Sequence, residues 1–160
     1  MRAGAFRPGV GGPNMRHMSG ASSPIHILLV EDSPDDAALT LRALKRAKLQ
    51  NHVSIVSDGL EALAFLRGDP PHQGAPRPDL VLLDLNLPKL DGRDVLLRIR
   101  EDQRLHTMPV VVLTASEQEH ERLAAIGADA FLTKPVDFER LGWVVRVIAN
   151  FGWAIVKLRA

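Results

Sequence analysis

Five residues far apart in the chain share one setting. Glu31 and Asp32, Asp84, Thr114 and Lys134 each stand at the end of a short apolar run. Three carboxylates gathered in one place repel, and their pKa values rise unless a cation joins them. A hard divalent ion with oxygen ligands relieves this, and Mg²⁺ suits a site with few carboxylates and several waters. Lys134 adds a second positive charge, able to pair with Asp84 or with an incoming anion. Thr114 offers a hydroxyl. A carboxylate nucleophile, Mg²⁺, an ammonium and a hydroxyl make a set suited to phosphoryl transfer. Catalysis of that reaction is mostly positioning and neutralising charge on the equatorial oxygens. The plainer reading is a structural ion-pair network. The shared placement of all five at the ends of apolar runs favours the reactive one.

Asp84 is the centre of the set. It lies in Val81-Leu82-Leu83-Asp84-Leu85-Asn86-Leu87-Pro88, an apolar run that delivers one carboxylate and then breaks. Buried runs of this length are strands of parallel sheets, and ligands sit at the ends of such strands. A lone Asp there would be a helix cap or a turn residue. Asp84 has company.

The elements that must position these residues follow from the same sequence. Residues 25–30 read as a strand. Ser33 is an N-cap with Pro34 at the first helical position. Ala37, Ala38, Leu41 and Leu44 recur at helical spacing as a buried face, and Arg42, Lys45, Arg46 and Lys48 make the other face basic. Residues 53–56 form a second strand. Asp58-Gly59-Leu60-Glu61 resembles a capping box opening a helix through Arg67. Residues 68–78 are a Pro/Gly-rich loop, and 79–83 the third strand. Asp91-Gly92 opens a helix with Val95, Leu96 and Ile99 as its apolar set. Residues 109–113 are the fourth strand. A helix through Ile126 stops at Gly127. Residues 128–132 are the fifth strand, and Asp137 caps the last helix.

Strands alternating with helices five times predict an α/β domain, its parallel sheet covered on both faces. Right-handed crossovers leave a few doubly wound orders. In all of them the carboxyl ends of the strands lie along one edge, so the five residues converge there.

Composition bounds the rest. With 160 residues, 46% hydrophobic and 24% charged, this is one soluble domain with a full core. The absence of cysteine excludes disulfides and thiolate metal sites. No apolar run approaches membrane-spanning length. Residues 1–24 are rich in Gly, Pro and Ser, hold Arg2, Arg7 and Arg16 and no acid, and read as a disordered arm. Removing those three from 20 basic residues leaves 17 against 19 acidic ones, which does not favour nucleic acid as a partner. No signal-peptide core is present, so the expected location is the cytoplasm.

Four motifs in order carry a family resemblance. Glu31-Asp32, Leu82-Leu83-Asp84-Leu85-Asn86-Leu87-Pro88, Leu113-Thr114-Ala115-Ser116 and Lys134-Pro135 resemble the receiver domain of two-component response regulators, over about residues 25–150. The resemblance implies a flavodoxin-like five-stranded parallel sheet of order 2-1-3-4-5 with five helices, the domain filling residues 25–160. It implies that Asp84 accepts a phosphoryl group from a sensor histidine kinase. Asp32 and Asp84 would bind Mg²⁺ directly, with the backbone carbonyl of Asn86, and Glu31 through a metal-bound water. Thr114, with Ala115 beside it, and Lys134 would hold the phosphoryl oxygens. The Lys134–Pro135 bond would be cis. The chain would not be an enzyme in the ordinary sense. It would take the group once and hydrolyse it slowly, with Glu31, Asn86 and Ser116 near the path of the attacking water.

The switch aromatic of the fifth strand, often Tyr in this family, is Phe131 here. It has two readings, a ring that swings inward as Thr114 moves or a plain core residue. The Pro/Gly-rich insertion, Pro135-Val136-Asp137 and the ending Ile155-Val156-Lys157-Leu158 resemble the short single-domain regulators of the cyanobacterial phytochrome type. The kinase in that group is often a bilin-bearing phytochrome. No helix-turn-helix pattern is present, so the expected output is protein contact.

The last helix adds a second signal. Leu141, Val144, Val145, Ile148 and Phe151 follow a core stripe, while Trp143, Val147 and Trp153 lie off it. An apolar surface wider than one face calls for a cover. Two readings follow, a homodimer with Trp143, Val147, Phe151 and Trp153 at its interface, or a C-terminal tail folded over its own domain. Three other functional classes fit less well. A Mg²⁺-dependent phosphohydrolase needs an acid where Asn86 stands. A flavin binder would meet the acidic turn Glu31-Asp32. A phosphorylation-independent pseudo-receiver would not keep every acceptor residue.

Overall fold

The computed structural model of the chain describes residues 24–47 and 51–159; in the last helix the side chains are described as far as Ile148. Apart from Pro24, the arm expected over residues 1–24 lies outside the described residues, as do Lys48 and the side chains of Phe151 and Trp153. Five strands and five helices alternate: β1 (Ile25–Val30), α1 (Pro34–Arg46), β2 (Asn51–Val56), α2 (Gly59–Arg67), β3 (Leu80–Asp84), α3 (Gly92–Glu101), β4 (Val110–Thr114), α4 (His120–Ile126), β5 (Ala130–Thr133) and α5 (Phe138–Arg159). The sheet is parallel throughout, in the order β2-β1-β3-β4-β5. This is the flavodoxin-like architecture expected from the sequence.

Local chemistry sets the helix starts. The Ser33 hydroxyl accepts from the Asp36 backbone N–H, with Pro34 next to it. Asp58 accepts from the Glu61 N–H, and the Glu61 carboxylate reaches back to the N–H of Ser57, one residue before the cap. Asp91 and Asp137 cap α3 and α5. Gly127 ends α4 at φ 105°. Gly92 answers a different need. A Cβ there would stand 2.3 Å from the carbonyl oxygen of Asp84, so only glycine lets α3 start this close to the end of β3.

Alternating residues of each strand feed two cores. Leu28, Val81, Leu83, Val110 and Val112 pack with α2, α3 and α4. Ile27, Leu29, Leu80, Leu82, Val111 and Leu113 pack with α1 and α5. The buried stripe of α1 is Ala37, Thr40, Ala43 and Leu44; Ala38 is exposed and Leu41 only half-buried, contrary to the stripe read from the sequence. The cause is α5, which packs beside α1: Ala47 lies against Gly142, and Arg146 donates to the Ala47 carbonyl at 2.7 Å. With α5 alongside, α1 buries Ala43 in one core with Leu141 and Val145, while Ala38 and Leu41 line a surface groove with Ile55. Leu141, Val145 and Ile148 of α5 are buried as expected.

At the amino edge of the sheet, Arg100 acts as a staple. It donates to the carbonyls of Gly127 (2.9 Å), Met108 (2.7 Å) and His106 (3.2 Å), and to Asp129 Oδ2 at 3.1 Å. Asp129 also accepts from the Val110 N–H at 2.7 Å. The starts of β4 and β5 are thereby tied to the end of α3.

Candidate functional site

The first strand ends one residue before Glu31, whose side chain is almost fully buried. Asp84 is the last residue of β3 and is buried as well. Lys134 follows the end of β5, across a cis bond to Pro135. These ends bring Glu31, Asp32 and Asp84 together, with carboxylate oxygens all within 4.8 Å of one another. Lys134 Nζ completes the group, 2.9 Å from Glu31 Oε2 and 3.2 Å from Asp84 Oδ2. A fourth carboxylate, Asp36, stands 3.1 Å from the same ammonium.

Electrostatics follow from burial. Desolvation pushes the Glu31 carboxyl above its ordinary range, against the hydrogen bonds it receives from Lys134 and the Ser33 N–H. For Lys134 burial works the other way and favours the neutral amine. Hydrogen bonds to Glu31 and Asp36, with the charges of Asp84 and Glu31, outweigh it and hold the ammonium charged above its ordinary range. One ammonium against three clustered carboxylates still leaves an excess of negative charge. A set of hard oxygens with that charge fits a divalent cation of the Mg²⁺ kind.

The other expected site residues lie around this cluster. The Asn86 N–H donates to Asp84 Oδ1 at 3.3 Å, and its side chain is exposed. Thr114 is buried at the end of β4, its hydroxyl donating to the Ser116 carbonyl and accepting from the Ser116 N–H. Ala115 is exposed beside it. Lys134 and Thr114 are also joined by backbone, N–H to carbonyl, at 2.7 Å. Phe131 is not in the cluster. It is half-buried, packed against the α2–α3–α4 core and stacked on His120, with ring centroids 4.6 Å apart and 17° between planes.

A model of the response regulator receiver domain matches residues 27–146. The chain belongs to this family. Response regulator Rcp1 of Synechocystis sp. is 42% identical over 146 residues, which cover 89% of this chain and 99% of Rcp1. The crystal structure of the phosphorylated cyanobacterial phytochrome response regulator RcpA superposes with a TM-score of 0.69 at 39% identity, covering 82% of this chain and 95% of RcpA. The Mn²⁺-bound form of Rcp1 gives 0.68 at 42% identity, over 80% of this chain and 94% of that one. This chain is therefore a receiver-domain response regulator similar to the phytochrome type.

Three site features escaped the sequence reading. Asp36 and His120 sit on helices and carry no signal of their own. Arg93, at the start of α3, pairs with Glu119 in the 3-10 turn Glu117–Glu119 and with Asp91, so the loop after Thr114 is tied to α3. Of the expected interface residues, Trp143 is 67% exposed and Val147 half-buried. Among the described residues, no helix is long and apolar enough to cross a membrane.

Proposed function

We propose that the chain is a single-domain regulator that accepts a phosphoryl group on Asp84 from the phosphohistidine of a sensor kinase, in a phytochrome-linked relay, and signals by protein contacts. The observation that carries this reading is the buried Asp84 carboxylate with Lys134 Nζ 3.2 Å away and two further acids beside it. An Asp84 oxygen attacks phosphorus, the phosphorus–nitrogen bond breaks, and its electron pair stays on the imidazole. Lys134 follows the charge as it moves onto the phosphoryl oxygens, and Thr114 turns its hydroxyl from Ser116 toward them. Asp32, Asp84 and the Asn86 carbonyl would hold Mg²⁺, with Glu31 acting through a water, and the ion would supply positive charge against the clustered carboxylates and the incoming phosphoryl group. Slow attack by water then returns inorganic phosphate, so no external substrate is turned over.

Features of the surface support these partners. Pro34, Ala37, Ala38, Leu41 and Ile55 line a groove that opens at Glu31 and Asp32. An apolar helix of the kinase lying there brings its phosphohistidine to Asp84. Kinases make phosphohistidine from ATP, which places the exchange in the cytoplasm. A homodimer through α5 would cover Trp143, which is exposed, and half-buried Val147.

Intact mass after incubation with acetyl phosphate tests the chemistry. One phosphoryl group should appear with Mg²⁺ and be absent without it and in Asp84→Asn. No gain in a folded protein would refute the acceptor assignment. Light scattering tests the dimer; a monomer at high concentration, phosphorylated or not, would refute that.

A further inference from the structure

We propose that Asp36 is a positioning residue for Lys134, a role that rests on the acceptor reading above. An ammonium has three N–H donors. Two are taken by hydrogen bonds, to Glu31 Oε2 at 2.9 Å and to Asp36 Oδ2 at 3.1 Å. Asp84 Oδ2, at 3.2 Å, is in ion-pair contact only. Glu31 and Asp36 are thus two fixed points, and the third N–H is left for the acceptor side.

The two anchors are themselves joined. Ser33 donates its N–H to Glu31 Oε1 at 3.2 Å, and its hydroxyl accepts from the Asp36 N–H at 3.3 Å. The cap of α1 therefore holds the Glu31 carboxylate and the backbone of Asp36 in one turn, which leaves the Asp36 side chain within reach of Lys134. Asp36 lies in the first turn of that helix, where the macrodipole favours its charge. The chemistry gives this geometry its use. When Asp84 becomes an acyl phosphate, its charge moves outward onto the phosphoryl oxygens. With two donors held by Glu31 and Asp36, the ammonium keeps its third aimed at them. Without Asp36 it pivots about Glu31 alone.

Charge and position predict opposite signs. Removing an acid makes the site less negative, which by itself speeds entry of an anionic donor. Removing an anchor slows the transfer. The experiment follows phosphorylation by acetyl phosphate with Mg²⁺ in wild type, Asp36→Asn and Asp36→Glu, beside the ¹H–¹⁵N signal of the Lys134 ammonium. Asp36→Asn should fold normally, since Asp36 is 44% exposed at its side chain. It should be slower by about tenfold at saturating donor, with the Lys134 signal broadened. Asp36→Glu should recover most of the rate. An unchanged or faster Asp36→Asn, or an unaltered Lys134 signal, overturns the proposal. A wild type that takes no phosphoryl group refutes the acceptor reading instead, and the ammonium signal then still decides whether Asp36 anchors Lys134.

Discussion

Lys134 Nζ lies 2.9 Å from Glu31 Oε2, although 103 residues separate the two in the chain. The pair closes the sheet edge on which every site residue depends. Its energetics are asymmetric, because removing one partner leaves the other's charge buried.

The first expectation concerns that asymmetry. Lys134→Met leaves Glu31, Asp36 and Asp84 without their shared cation. The metal-free protein should lose about 2–3 kcal/mol, somewhat less than a fully buried pair costs because Lys134 is partly exposed. Mg²⁺ should restore much of the loss, since it supplies the missing charge. Thermal melts with EDTA and with Mg²⁺ check both. Equal melting of the two proteins without metal would show that Lys134 does not support the fold.

Arg100 makes a second test, far from the acceptor edge. Arg100→Met removes the guanidinium from Asp129 and from three carbonyls. A loss of about 3–5 kcal/mol is expected. Urea unfolding checks the value. A loss below about 1 kcal/mol would reduce the staple to an ordinary surface pair.

Asp58 governs part of the acid response. The Glu61 N–H holds its carboxyl below the usual range, and Lys89 adds to this against the effect of burial. The folded pKa is thus lower than the unfolded one. The stabilisation is present above about pH 4 and is lost as pH falls through the folded value. Asp58→Asn keeps an acceptor for the cap but no charge. It should be less stable than wild type at neutral pH, and the two should converge in acid. A gap that is the same at both ends of the titration would rule out the charge as its cause.

Phe131 and His120 report on switching. Their stacked rings lie on the α4–β5 side, and among the described residues His120 Nε2 is buried without a hydrogen-bond partner. Loading with beryllofluoride and Mg²⁺ should draw Thr114 off Ser116 and let Phe131 turn inward. The ring-current shift of the His120 protons should then change. Identical His120 and Phe131 resonances in the loaded and unloaded protein would leave Phe131 as a plain core residue.

Much of this molecule was legible in its sequence because the signals are local. An apolar run followed by a breaker marks a strand end, and Ser33-Pro34, Asp58, Asp91 and Asp137 mark helix starts through contacts three residues long or less. Glu31, Asp32, Asp84, Thr114 and Lys134 are therefore assigned to one edge by the sequence alone. The α1 stripe was misread because helical spacing fixes a face only to within one neighbour, and α5 decided which neighbour it would be.

What only the tertiary structure decided is how side chains from different segments meet. Asp36 reaches Lys134 across 98 residues because α1 covers the face of the sheet toward which Leu82 and Asp84 point. Arg100 meets Asp129, and Arg93 meets Glu119, for the same kind of reason. Crossover handedness and strand pleat assign each residue to one side of the sheet. Neither leaves a mark in the residue type itself, so these partners appear only when the chain is folded.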